Sequence, residues 1–135
     1  MFAGILILLT ILFLIGNLFY FFTNKTFKKA GYDSVLFYNL FFVLLGLTLG
    51  FAFLYYLLSF QETVLVINDP TEDPAEPTFL NFLYFSGVTI LSVGYGDLVP
   101  VGSARFFALM QAALGFLLPT IIFLKALNNS EEDDE

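Results

Sequence analysis

The sequence predicts an all-α membrane protein with three transmembrane helices and a shorter, re-entrant helix that leads into a glycine-broken loop. Two observations carry this prediction. Of 135 residues, 59% are hydrophobic, 19 are Phe and only 13% are charged; a soluble domain this short keeps too much of its chain in contact with solvent to hide so much apolar surface. The apolar residues also fall into three runs long enough to cross a bilayer core of about 30 Å, and a fourth that is too short. Lipid is the solvent that fits.

The first run covers residues 2–22, broken only by Asn17 and a few Thr, Tyr and Gly. It lacks a basic leader and a small-x-small cleavage site, so it reads as a retained span rather than a signal peptide. It carries no charge and therefore none of the spaced arginines of a voltage sensor. The second run, residues 34–60, is entered through Asp33 and Ser34, both good N-cap residues. The third, residues 103–127, leads into an acidic tail at 128–135. Between the last two runs, residues 78–91 would make a helix of roughly 21 Å, too short to cross. This stretch follows Pro74 and Pro77 and ends before Gly94 and Gly96, so it is expected to enter the membrane and return.

Charge fixes an orientation. Lys25, Lys28 and Lys29 lie between the first two runs and Lys125 at the end of the third. The positive-inside rule then puts Met1 outside and the C-terminus in the cytoplasm. The loop 61–77, with Glu62, Asp69, Glu72, Asp73 and Glu76, falls outside, and Arg105 is the one basic residue that disagrees. The net charge of −7 argues against nucleic acid as a partner. The chain has no His and no Cys, which excludes imidazole acid–base chemistry, thiolate metal sites and disulfides. No clustered acid, base and nucleophile suggests an enzyme.

Irregular backbone is tolerated at membrane depth only where it lines protein or water. The segment Ser92-Val93-Gly94-Tyr95-Gly96-Asp97 sits at that depth. To strip water from an ion, a pore must present oxygens that replace the hydration shell. Backbone carbonyls do so only if successive residues turn them to one side, which needs left-handed dihedrals at alternate positions. Gly94 and Gly96 adopt those without steric cost. Ser92, Val93, Gly94 and Tyr95 would then supply the ladder, with the Ser92 hydroxyl as its innermost ring. The C-terminal, partially negative end of the 78–91 helix would favour a cation beside it.

The run from Thr89 through Ser92-Val93-Gly94-Tyr95-Gly96-Asp97 to Pro100, with Leu83-Tyr84-Phe85-Ser86 before it and Arg105-Phe106-Phe107 after it, resembles the signature of the potassium channel pore domain. The resemblance implies an outer helix 34–60, turret 61–77, pore helix 78–91, selectivity filter 92–97 and inner helix 103–127. Residues 1–33 would be an additional N-terminal span with a basic cytoplasmic linker. It further implies a homotetramer in the cell membrane that conducts K+ passively, with K+ held at Ser92, Val93, Gly94 and Tyr95 and Gly96 completing the filter. Its partners would be K+, the lipid bilayer and its own copies, and it needs no cofactor.

Three positions depart from the family pattern. Ser92 stands where Thr is usual and keeps the hydroxyl without the methyl. Val88 stands where some relatives place a Glu behind the filter, so Tyr84 is the candidate partner for Asp97. Gln111 stands where many relatives carry an acid. In the inner helix Gln111, Gly115 and Pro119 recur every four residues and share a face. Pro119 leaves the carbonyl of Gly115 without a donor, which marks the pair as a candidate gating hinge. Phe123 is the candidate hydrophobic constriction. After Leu127 only eight residues remain, so a minimal pore without a sensing module is expected. The alternatives are a weakly selective cation channel, which an intact Tyr95 disfavours, and a non-conducting regulatory subunit of a membrane assembly.

Overall fold

A computed structural model describes residues 1–23 and 34–132. Lys25, Lys28, Lys29, Asp33 and the last three acids lie outside the described residues. Among the described residues the chain runs α1 (Phe2–Thr23), α2 (Ser34–Leu58), β1 (Leu65–Ile67), α3 (Phe79–Ile90), β2 (Leu98–Pro100) and α4 (Ala104–Glu132). Two stretches, Leu36–Leu58 and Ala104–Asn128, are long and apolar enough to cross a membrane. The apolar stretch of α1, Gly4–Tyr20, is shorter.

The helices sit where apolar content predicts them, and their ends are set by local polar chemistry. α2 stops at Leu58, not at residue 60, because the Ser59 hydroxyl donates back to the carbonyl of Tyr56 at 2.6 Å while Phe60 and Gln61 close a tighter turn on Leu57 and Leu58. α3 begins at Phe79 rather than 78, since Thr78 is its N-cap and accepts from the Asn81 N–H at 3.3 Å, the role for which a Thr hydroxyl is favoured at that position. It ends at Ile90 rather than 91, because Leu91 has left helical geometry (φ −81°, ψ 1°).

α4 begins at Ala104, one residue later than expected, after Gly102 in a left-handed conformation (φ +59°). It then continues to Glu132. The expected tail at 128–135 is therefore helical as far as residue 132, because no Gly or Pro follows Pro119 to stop it. The turret adds two short strands to an otherwise helical fold. Leu65, Val66 and Ile67 pair antiparallel with Pro100, Val99 and Leu98 in a two-stranded sheet. A run of Val64 to Ile67 inside an acidic loop was the signal for that strand.

The core lies where α2, α3 and α4 meet, around Leu47, Leu54, Tyr55, Phe82, Phe85, Ile90 and Leu118. Edge-to-face aromatic pairs lock α3 to α2. Tyr55 meets Phe85 with ring centroids 5.3 Å apart at 70°, and Tyr56 meets Phe82 at 6.2 Å and 60°. α1 lies against the opposite face of α2, where Gly50 leaves room for Leu14; a Cβ at residue 50 would collide with a Leu14 methyl. Small residues of this kind let membrane helices approach closely.

Candidate functional site

The site begins at the C-terminus of α3. The N–H groups of Ser92 and Val93 return to the carbonyls of Thr89 and Val88 at 3.1 and 2.9 Å. Ser92 itself is left-handed, with φ +58°. This is a Schellman cap: the residue past the helix end turns left-handed and satisfies the last carbonyls. The Gly94 N–H adds a second bond to Val88 at 3.1 Å. Left-handed dihedrals then recur at Gly94 (φ +54°) and Gly96 (φ +78°). Positions 92, 94 and 96 thus alternate with 93 and 95, the pattern that turns successive carbonyls to one side. Ser is better suited than Thr to the first of these, since a β-branched residue is a steric outlier at positive φ.

Among the described residues, the carbonyls of Ser92, Val93, Gly94 and Tyr95 accept no hydrogen bond from the chain. The next two carbonyls are taken. The side-chain amide of Asn68 donates to Gly96 at 2.8 Å, and the Asn68 N–H donates to Asp97 at 2.9 Å. The sheet register places Asn68 there, because it follows Ile67, the partner of Leu98. The turret strand therefore clamps the end of the loop. Asn68 was missed in the sequence, where nothing local distinguishes it from a solvated turret residue.

The Tyr84 hydroxyl donates to the Asp97 carboxylate at 2.9 Å, so those two residues meet as expected. That bond, aided by partial burial and the carboxylate charge, raises the Tyr84 phenol above its ordinary value of 10.0. In the turret, the Thr71 hydroxyl donates to the Asp69 carboxylate at 2.8 Å. This bond holds the Asp69 carboxyl below its ordinary value, because it favours the charged form. Among the described residues no group of three carboxylates is placed to hold a metal ion.

Residues 41–129, about two thirds of the chain, match the model of a family described as ion channel. The chain belongs to the ion channel family. Similar relatives are a protein named LctB from Geobacillus stearothermophilus, 38% identical over 87 residues, and its namesake from Bacillus caldotenax, 34% identical over 85. Each match covers 62% of this chain and 63% of the relative, so the chain spans less than two thirds of their length. No solved structure matches the chain.

The channel's remaining candidate residues all lie on α4. Gly115 packs directly on the end of α3: a Cβ there would run into the carbonyl oxygen of Ile90. The sequence pairs this glycine with Pro119 as a candidate hinge; its observed contact is with the helix that carries the loop. Pro119 lies one turn further on, inside a continuous helix. Phe123, a turn beyond, is exposed on the protomer. Gln111, read as a departure from an acid, is fully buried.

Proposed function

We propose that four copies of the chain surround one axis and conduct K+ passively, each contributing the carbonyls of Ser92, Val93, Gly94 and Tyr95. The observation that carries this reading is the run of four carbonyls without a donor among the described residues, set between alternating left-handed residues at the end of a half-length helix. One strand cannot encircle an ion; a ring of strands replaces its hydration shell with oxygens on all sides. The partially negative end of α3 adds a favourable field for a cation. Asn68, by taking the Gly96 carbonyl, marks the outer end of the ladder, so Gly96 serves the filter through its left-handed dihedral more than as an ion ligand.

A homotetramer also accounts for the apolar surface left around the loop. Leu80, Leu91, Val93 and Tyr95 are exposed on the single protomer, with Tyr95 at 71%. An apolar patch of that kind is covered by a partner surface, and a copy of the same chain supplies one. In the membrane, α1 forms a third span on the lipid side, Met1 faces outward and the C-terminus faces the cytoplasm, following the lysines of the first linker. α4 bends at Pro119 during gating, and Phe123 narrows the cytoplasmic end.

Reversal potentials in reconstituted bilayers, with a K+ gradient and Na+ as counter-ion, test this function. A reversal at the K+ equilibrium potential is expected. A reversal near zero would leave a weakly selective cation channel, and no current a non-conducting subunit. Native mass measurement is expected to give a tetramer; a conducting monomer or dimer would refute the assembly.

A further inference from the structure

Gln111 is a long polar side chain with no access to solvent, facing the back of the pore helix. Both ends of its amide are used. Oε1 accepts from the Tyr55 hydroxyl on α2 at 2.9 Å. Nε2 donates to the carbonyl of Ser86 on α3 at 3.0 Å and to its hydroxyl oxygen at 2.6 Å. The Ser86 hydroxyl in turn donates to the carbonyl of Thr48 on α2 at 2.7 Å. Tyr55, Ser86 and Gln111 are all fully buried, so the network joins the three helices away from water.

One turn along α4 from Gln111 is Gly115, and one turn along α3 from Ser86 is Ile90. Those two are also in contact, through the absent Cβ of Gly115 and the Ile90 carbonyl. Two successive turns of the inner helix are thus matched to two successive turns of the pore helix, and Ile90 lies two residues before Ser92. Apolar side chains fill a helix interface at several neighbouring registers with small losses. A directional amide does not: a slide of one turn, about 5.4 Å, would break every bond Gln111 makes.

Resting on the channel reading above, we infer that Gln111 is a positioning residue for conduction. It fixes the register of the pore helix on the inner helix, so that the carbonyl ladder and α4 from Ala104 to Gly115 move as one body. Bending of α4 during gating is then confined to the stretch beyond Gly115, and a displacement before it is transmitted to the filter.

The test uses the full-length channel in bilayers and in detergent. Gln111→Leu strands the Tyr55 hydroxyl and the Ser86 groups. It is expected to lower the melting temperature of the assembly, to shorten open dwell times and to reduce the K+ over Na+ permeability ratio about tenfold. The triple variant Gln111→Leu, Ser86→Ala, Tyr55→Phe removes the stranded side-chain groups as well. It is expected to recover the melting temperature while the permeability ratio and open dwell times remain depressed, because packing is restored and register is not.

Recovery of ratio and dwell times together with stability in the triple variant would overturn the inference, leaving the network a self-satisfying polar core. If Gln111→Leu fails to assemble, Ser86→Ala reads the same question more mildly, since it removes one of the two bonds from Gln111 Nε2 and loosens the register without abolishing it. A loss of permeability ratio of about two- to threefold in the assembled variant supports the inference, and an unchanged ratio overturns it. A wild-type channel that reverses away from the K+ potential would refute the channel reading itself, not the role of Gln111.

Discussion

Gly115→Ala separates two explanations of the same glycine. If residue 115 only relieved strain beside Pro119, alanine would stiffen the helix and add about 1 kcal/mol of helix propensity. The structure opposes that gain with backbone that cannot swing aside. The new Cβ would lie 2.6 Å from the Ile90 carbonyl carbon and 2.9 Å from its Cα, with the carbonyl oxygen nearer still. To regain a carbon–carbon separation of about 3.5 Å, α3 and α4 must part by at least roughly 1 Å, and by more to clear the carbonyl oxygen. Overpacking of this kind costs about 1–3 kcal/mol and, against rigid backbone, falls at the upper end. The net expectation is a destabilisation of about 2 kcal/mol. The displaced atoms belong to Ile90, so the carbonyl ladder that starts at Ser92 should move with them. The assay is thermal unfolding of the purified assembly, paired with single-channel recording of ion selectivity. A Gly115→Ala protein with the same melting temperature, selectivity and conductance as wild type would refute the packing argument and return the residue to the role of a hinge.

Gly94→Ala should abolish conduction for a different reason: nothing lies within 4 Å of its missing Cβ, but its φ of +54° disfavours any side chain by about 1–2 kcal/mol, and normal K+ currents in that variant would refute the filter assignment. Asn68→Ala frees the Gly96 carbonyl and loses a bond worth about 1 kcal/mol, so currents should decay faster at low external K+; decay kinetics identical to wild type would show the clamp to be idle. Tyr84 has its phenol pKa raised above the ordinary value of 10.0, so the bond to Asp97 is fully present below that value and is lost only as pH climbs beyond it. External pH should therefore leave currents unchanged from neutrality towards that value, and a neutral-range dependence that disappears in Tyr84→Phe would contradict this. Pro119→Ala restores a donor to the carbonyl of residue 115 and should lower open probability without changing the permeability ratio; unchanged open probability would place gating in the filter.

The sequence by itself determined the elements and the loop. Long apolar runs can only be buried in lipid or in other helices, and residues 34–60 and 103–127 became α2 and α4 within a few residues at each end, apart from the inner helix's continuation to Glu132. The short stretch 78–91, lying before two glycines, could only be a short helix and a turn, and it became α3 with its capped end. The pairing of Tyr84 with Asp97 was legible through the family resemblance, which aligns Tyr84 with an aromatic position beside the filter and Val88 with a carboxyl that this chain lacks.

Tertiary structure decided which residues support that loop. Asn68 reaches Gly96 only because β1 and β2 pair in one register, and Asn68 lies 28 positions away in sequence. Gln111 finds Ser86 and Tyr55 only once three helices pack. Gly115 shows its use only when Ile90 is brought against it. Hydrophobic pattern and backbone dihedral preference act over a few neighbouring residues, so they can be read along the chain. A hydrogen bond or a close approach between distant segments depends on helix crossing and strand register, which no local stretch encodes.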